Sequence, residues 1–278
     1  MTLQIRPLSP HLGAEILDFD PREPFGEAAA QDVRDALREH RVLLFRGKPL
    51  TEEHQVRLTQ IAGVLTYRGY GNYADPTKKS SLVSNAHEGG LFGDGELSFH
   101  SDLSFTPHIL KARSLHALVL PSAEETGGET LFSNVHLAYE ELDPALKARV
   151  EPLQARFVAT YTFPDRTETV EFVRPLIGTH PQTGRRFIAA SRAVTKEVLG
   201  MDRAEFRPLL KEIWAHIEQP KYVYRHRWQL ADTLFWDNIA VQHARTPFDP
   251  NQKRALRAVS VDDPSIAVTA KQRAEATV

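Results

Sequence analysis

Two histidines and one aspartate stand out among the residues that could bind a metal ion. The segment from Leu97 to Phe105 reads Leu-Ser-Phe-His-Ser-Asp-Leu-Ser-Phe, so His100 and Asp102 lie two positions apart in an apolar, extended stretch. Residues i and i+2 of a strand point the same way, so this pair can present an imidazole and a carboxylate to one ion. A second His-x-acid pattern, at residues 216–218, falls at the end of a predicted helix, where these positions diverge, and is discarded.

The third ligand has to come from a distant part of the chain, and His243 is the best candidate. It follows the apolar strand after Trp236, at a point where the chain could return to the mouth of a barrel. Two imidazoles and one carboxylate form the facial triad of non-haem iron(II) oxygenases, which leaves coordination positions open for reactants. A lone His-x-Asp pattern is more often a surface or hydrogen-bonded pair. The neighbouring motifs must therefore show whether this pair binds a metal.

The amino-acid composition excludes several classes of protein and several kinds of metal site. The 34 basic residues nearly balance the 36 acidic ones, which argues against a nucleic-acid binder with a basic face. The absence of cysteine excludes disulfides, zinc-thiolate sites, iron–sulfur clusters and a cysteine nucleophile, so His, Asp or Glu must hold any metal. No secretory signal and no long apolar run are visible, so we expect a cytoplasmic protein that does not enter a membrane.

The elements around these residues are mostly short strands with helices outside them. Helices are predicted over residues 27–40, 51–62, 143–153 and 202–217. Strands are predicted over residues 42–45, 81–84, 97–105, 115–120, 186–190, 222–228, 233–236 and 255–261. This pattern indicates one domain, residues 1–278, that is a β-barrel or jelly roll wrapped by helices. The Gly-, Asn- and Lys-rich segment of about residues 67–96 is predicted to be a lid-like loop.

Further motifs follow in order along nearly the whole chain. They are VLLFRG at 42–47, FHSDLSF at 99–105, LP at 120–121, GGET at 127–130, AYE at 138–140, VYRHRW at 223–228, WDN at 236–238 and KRALR at 253–257. The ordered set resembles the taurine dioxygenase and (2,4-dichlorophenoxy)acetate dioxygenase family. The resemblance implies a mainly β fold with flanking helices, the double-stranded β-helix, which is a jelly roll.

The resemblance also implies an activity and the residues that perform it. Such an enzyme uses Fe(2+), 2-oxoglutarate and O2 to hydroxylate a small organic substrate, with release of succinate and carbon dioxide. His100, Asp102 and His243 match the family's iron ligands. Thr130 and Arg254 match the residues that bind the distal carboxylate of 2-oxoglutarate, and a planar guanidinium suits a carboxylate.

Four residues are expected near the substrate: Glu96, Phe99, Phe105 and Arg257. The taurine enzyme has a second arginine four residues after the 2-oxoglutarate arginine, and here that position is Ala258. Glu96 stands where that enzyme has an asparagine near its substrate. An added acid and a missing cation argue against taurine and would tolerate an amine-bearing or neutral substrate, although the lid-like segment could supply Arg68 or Lys78 as the cation.

Two other functions stay open. One is a tailoring enzyme of the same family that desaturates, epimerises or cyclises a natural product. The other is a non-catalytic, metal-binding jelly roll, which would have lost a ligand or Arg254, whereas the chain keeps them all. Individually, Gly127-Gly128 could be only a hairpin turn, Trp236 only a core residue and His226 only structural. Because related enzymes form dimers or tetramers, a homo-oligomer is also expected.

Overall fold

The computed structural model describes residues 3–66, 78–87, 90, 93–122, 127–162 and 167–264. Its helices are α1 (Glu27–His40), α2 (Glu52–Thr59), α3 (Val135–Glu140), α4 (Pro144–Val150) and α5 (Arg203–Ile217). Its strands are β1 (Ile5–Pro7), β2 (Ala14–Ile16), β3 (Val42–Phe45), β4 (Val64–Leu65), β5 (Ser81–Ser84), β6 (Leu97–His100), β7 (Ala112–Val119), β8 (Thr130–Asn134), β9 (Gln154–Thr162), β10 (Thr167–Pro175), β11 (Ile177–Thr179), β12 (Arg186–Ile188), β13 (Thr195–Val198), β14 (Val223–His226), β15 (Thr233–Asp237), β16 (Val241–Arg245) and β17 (Ala255–Asp262).

Two sheets form the centre of the molecule. The larger one has the order β1-β2-β3-β15-β7-β17-β4, with β5 also paired to β17, and the smaller one has the order β14-β8-β16-β6. Only β2 and β3 pair in parallel among the described strands. One hydrophobic cluster joins Leu115, Trp236 and Leu256 of the larger sheet to Phe132 and Val241 of the smaller one. The two sheets therefore face each other across a shared core, as in a sandwich.

The first two helices cover the outer face of the larger sheet. Val33 and Leu37 of α1 and Leu58 of α2 pack in one cluster with Phe45 and Phe235 of the sheet. The α1 prediction is confirmed at both ends. The helix stops because the next residue, Arg41, has a φ of 65°, a left-handed conformation that ends a helix.

Helix starts follow the capping residues that the sequence supplies. Asp202 accepts a hydrogen bond from the backbone N–H of Glu205, and the Glu205 side chain bonds back, which confirms the predicted capping box of α5. Thr51 caps α2 as expected, although that helix ends at Thr59 rather than near residue 62. Asp143 caps α4, which ends at Val150 rather than near residue 153.

A second layer lies beside the smaller sheet. It contains α3, α4, α5, the β10-β9-β13 sheet and the β11-β12 pair, around a core that includes Phe157, Leu176, Leu210 and Ile213. The long β9–β10 pairing was not predicted from the sequence, although half-buried and exposed residues alternate along much of β10. No helix in the described ranges is long and apolar enough to cross a membrane.

The predicted lid-like segment lies largely outside the described residues. Within it, β5 has the predicted bounds, Ser81–Ser84, and pairs with β17. Residues 67–77, 88–89 and 91–92 are not described.

Candidate active site

The strand that carries His100 is shorter than predicted. Strand β6 ends at His100, and the chain then turns instead of continuing to Phe105. Leu103 has a φ of 57°, a left-handed conformation that a strand cannot contain. Asp102 therefore lies where the strand gives way to a turn, with its carboxylate close to His100.

His243 lies inside strand β16, directly opposite His100. The two residues are register partners in the antiparallel β6–β16 pair, and their ring centroids are 4.3 Å apart. Facing residues of antiparallel strands have close Cβ atoms, so both imidazoles lean towards the same point. The sequence predicts that His243 follows a strand, whereas the structure shows it within the following strand, β16.

The three side chains present their ligand atoms to one small volume. One carboxylate oxygen of Asp102 lies 3.6 Å from Nε2 of His100, and the other lies 3.7 Å from Nε2 of His243. One ligand atom from each residue lies within 4.8 Å of the other two. This cluster of two imidazoles and one carboxylate could hold a metal ion, and its open side suits a site that also takes reactants.

The protonation states also suit metal binding. Burial alone would raise the pKa of Asp102, but the charge of the Arg113 guanidinium is the largest influence that holds that pKa well below its usual range. Burial, with His100 nearby, lowers the pKa of His243 to about 3. The aspartate is therefore ionised and His243 neutral at neutral pH, which are the forms that bind a metal.

A backbone carbonyl fixes the tautomer of His100. Nδ1 of His100 lies 2.8 Å from the carbonyl oxygen of Ser98. A carbonyl only accepts hydrogen bonds, so Nδ1 carries the ring proton and donates it. The lone pair of Nε2 is then free on the side of Asp102, as in metal sites where the distal ring N–H is anchored.

Asn238 holds the turn that carries Asp102. Its side-chain oxygen accepts a hydrogen bond from the backbone N–H of Asp102 at 3.0 Å. Its amide nitrogen donates to the carbonyl oxygens of Asp102 at 3.1 Å and Leu110 at 2.9 Å. The neighbouring Trp236 packs its ring 5.0 Å from the His243 ring. The Trp-Asp-Asn motif therefore supports two of the three candidate ligands, a role that sequence reasoning had not assigned.

We expect Asn238→Ala to weaken metal binding without removing a ligand. The substitution deletes two hydrogen bonds to Asp102 and one to Leu110, and outer-shell partners of metal ligands typically contribute about 10- to 100-fold in metal affinity. Equilibrium titration of the metal-free variant with Fe(II) under anaerobic conditions measures the loss. Unchanged affinity would mean that the turn keeps its shape without Asn238.

The pocket extends from this cluster to a buried arginine. It is lined by Val83, Leu97, His100, Asp102, Arg113, Leu115, Thr130, Trp236, His243, Ala244, Arg245 and Arg254. Burial, with Arg245 nearby, lowers the pKa of Arg254 to about 9. Its Nη2 donates to the carbonyl oxygen of Gly128 at 3.0 Å, while its Nε is buried without a hydrogen-bond partner among the described residues. A buried guanidinium whose Nε lacks a hydrogen-bond partner among the described residues favours the binding of an anionic ligand.

Thr130 and Gly128 complete this end of the pocket. Nε1 of Trp228 donates to the Thr130 hydroxyl oxygen at 3.0 Å, which leaves the hydroxyl proton free to be donated elsewhere. A Cβ at Gly128 would lie 3.3 Å from Cδ and Nε of Arg254, and Gly128 has a φ of 68°. The two glycines therefore do more than form a turn, because Gly128 allows the guanidinium to approach closely.

The four residues expected near a substrate are not brought together. Phe99 and Phe105 are buried in the protein interior, and Glu96 is exposed at the start of β6, with its charge close to Arg192. Arg257 donates to the side chain of Gln55 and to the carbonyl oxygen of Leu50, both near α2. None of the four lines the described pocket.

Other histidines have structural partners, as expected. His226 is fully buried with its Nε2 3.2 Å from a carboxylate oxygen of Asp232. His216 lies on α5, and its Nε2 is 2.7 Å from the carbonyl oxygen of Ala138, so the discarded His-x-Glu pattern is part of the helix packing.

The sequence and fold match one family throughout. The family model described as taurine catabolism dioxygenase TauD, TfdA family, matches residues 4–260. The α-ketoglutarate-dependent 2,4-dichlorophenoxyacetate dioxygenase of Cupriavidus pinatubonensis is 30% identical, with 95% of this chain and 99% of that protein covered. The pentalenolactone F synthase of Streptomyces avermitilis is 29% identical, with 91% and 92% covered.

Solved structures give the same result. The crystal structure of AAD-2 in complex with Mn(II) and N-oxalylglycine superposes with a TM-score of 0.79 at 28% identity, covering 96% of this chain and all of that one. A taurine dioxygenase from Burkholderia xenovorans superposes with a TM-score of 0.78 at 28% identity, covering 94% and 91%. The predicted jelly-roll fold is confirmed.

Proposed function

Because this chain belongs to the TauD/TfdA family of 2-oxoglutarate-dependent dioxygenases, we propose that it binds one Fe(2+) through His100, Asp102 and His243. With 2-oxoglutarate and O2 it hydroxylates a small organic substrate, and succinate and carbon dioxide are released. The observation that carries this proposal is one pocket that is lined both by the three candidate ligands and by the buried Arg254.

The donor set fits iron(II). Two neutral imidazoles and one carboxylate form a facial set that non-haem iron(II) oxygenases use. Iron bound here would supply the activation of dioxygen that is coupled to decarboxylation of the keto acid. The protein residues then hold and orient the reactants.

Arg254 and Thr130 suit the distal carboxylate of 2-oxoglutarate. The buried Nε of Arg254 lacks a partner among the described residues, and a guanidinium can bind a carboxylate through two parallel N–H groups. The Thr130 hydroxyl accepts from Trp228, so its own proton can be donated to the same carboxylate. N-oxalylglycine, the ligand in AAD-2, has the 2-oxoglutarate skeleton with one methylene replaced by N–H, which supports this assignment.

A tailoring reaction is the second candidate. Desaturation, epimerisation or cyclisation of a natural product is favoured by the similarity to pentalenolactone F synthase over nine-tenths of both chains. Both candidates use the same metal and cosubstrate. A homo-oligomeric state, a single domain over residues 1–278 and a cytoplasmic location stay predictions from the sequence.

The first experiment needs no knowledge of the substrate. Fe(II) and then 2-oxoglutarate are added anaerobically to the purified protein while the visible absorption spectrum is recorded. We expect a weak charge-transfer band that requires both additions and is absent from His100→Ala. Bound iron without such a band would contradict the oxygenase proposal and favour a metal-binding jelly roll of another function.

A further inference from the structure

A second arginine lies beside the candidate metal ligands. Arg113 is on β7, between Trp236 of β15 and Ser260 of β17, and its side chain is only 13% exposed. Its Nη1 lies 2.8 Å from Oδ2 of Asp102. Its Nε is buried without a hydrogen-bond partner among the described residues. The side chain lines the pocket, and its Nε donor is not used by any described residue.

Arg113 occupies a different position from the second arginine of the taurine enzyme. That arginine is replaced here by Ala258, which pairs with Leu115 on β7. Leu115 and Arg113 are two positions apart, so they point the same way, and both line the pocket. Arg113 therefore reaches the candidate metal ligands from strand β7.

We propose that Arg113 receives the carboxylate of the 2-oxo acid that binds the metal, while it keeps its ion pair with Asp102. This inference rests on the function proposed above. A guanidinium has five N–H donors in one plane and can serve two carboxylates at once. A keto-acid carboxylate that bound the metal beside Asp102 would lie within reach of Arg113, which already contacts Asp102. Arg113 is thus a positioning residue for Asp102 and a binding residue for the cosubstrate.

The charges of the pocket agree with this assignment. Arg113 lies at the metal end and Arg254 at the other end, so the two cations match the two carboxylates of 2-oxoglutarate. The third pocket arginine, Arg245, is bound to the backbone carbonyl oxygens of Gly93 and Gly95, which ties its guanidinium to the loop before β6. Arg113 is therefore better placed than Arg245 to bind a group at the metal.

The test uses a keto acid that lacks the distal carboxylate. Dissociation constants of 2-oxoglutarate and 2-oxobutyrate are measured by anaerobic titration of the visible band, at saturating Fe(II). Arg113→Met should weaken both acids by a similar factor, of about tenfold or more, as for loss of a charged hydrogen bond. Arg254→Met should weaken 2-oxoglutarate alone, because 2-oxobutyrate has no group for Arg254 to bind.

Three outcomes separate this inference from its alternatives. If Arg113→Met weakens Fe(II) binding but leaves both keto-acid constants unchanged at saturating metal, Arg113 serves Asp102 alone and the inference is overturned. If Arg113→Met fails to fold, Arg113→Lys, which keeps the charge but not the planar fork, should still weaken both acids equally. If the wild-type protein itself shows no band, the proposed function fails.

Discussion

Asp102→Ala is expected to abolish both tight iron binding and 2-oxoglutarate turnover. The substitution removes the only carboxylate of the candidate ligand set, and two neutral imidazoles leave the charge of iron(II) uncompensated in a partly buried site. It also leaves Arg113 without its 2.8 Å ion-pair partner, so a cation then faces the metal position. We expect iron affinity to fall by more than about 100-fold, beyond the range for loss of an outer-shell partner.

The second His-x-acid pattern supplies a matched control. Glu218→Ala removes the carboxylate that follows His216 on α5 and that pairs with Arg192, and it should leave iron stoichiometry and turnover unchanged. Metal content by elemental analysis and succinate formation are measured on both variants. Full activity of Asp102→Ala with stoichiometric iron would falsify the ligand assignment.

Arg254→Met is expected to raise the 2-oxoglutarate requirement far more than it changes iron binding. Methionine retains much of the buried volume but removes the charge and the donors, leaving the distal carboxylate with only the Thr130 hydroxyl. Loss of a buried, charge-assisted contact predicts an increase in apparent KM for 2-oxoglutarate of roughly 10- to 100-fold or more. Iron affinity should change less than about threefold, because Arg254 is at the other end of the pocket from the ligands.

Arg257→Met is the control for removing an arginine from the same strand. Arg257 contacts Gln55 and the Leu50 carbonyl on the α2 side, so its loss should lower stability but leave the apparent affinity for 2-oxoglutarate unchanged. Initial rates at varied 2-oxoglutarate concentration measure both variants. If Arg254→Met retains the wild-type KM, another cation of the pocket, such as Arg245, binds the distal carboxylate.

Local patterns in the sequence were sufficient to predict where the helices begin and to identify the ordered motifs. Asp202 with Glu205 and Asp143 with Pro144 specify helix starts through contacts within three residues, so no tertiary information is needed. The His-x-Asp pair was found from its spacing alone. The sequence did not show that the strand ends at His100, or that Asn238, more than 130 residues further along the chain, holds the turn that follows.

Contacts between strands that are distant in the sequence could not be predicted from it. Arg113 appears as one charged residue in a strand, and only the β7–β15–β17 register brings it beside the Asp102 turn. The role of Trp228 likewise depends on β14 pairing with β8, which brings its indole N–H to Thr130. Arg257, which was expected near a substrate, instead contacts Gln55 and the Leu50 carbonyl, because α2 packs against β17.

The position of β6 at the edge of the smaller sheet has a consequence for the metal-free protein. Its pairing with β16 is short and irregular, with register partners only at His100 and Leu97, and edge strands are prone to fray. An ion held by both His100 and His243 would join these two strands like a cross-link. Metal would then protect the amides of β6 from hydrogen exchange and add binding free energy to folding. Iron would thus be a structural component of the smaller sheet as well as a cofactor.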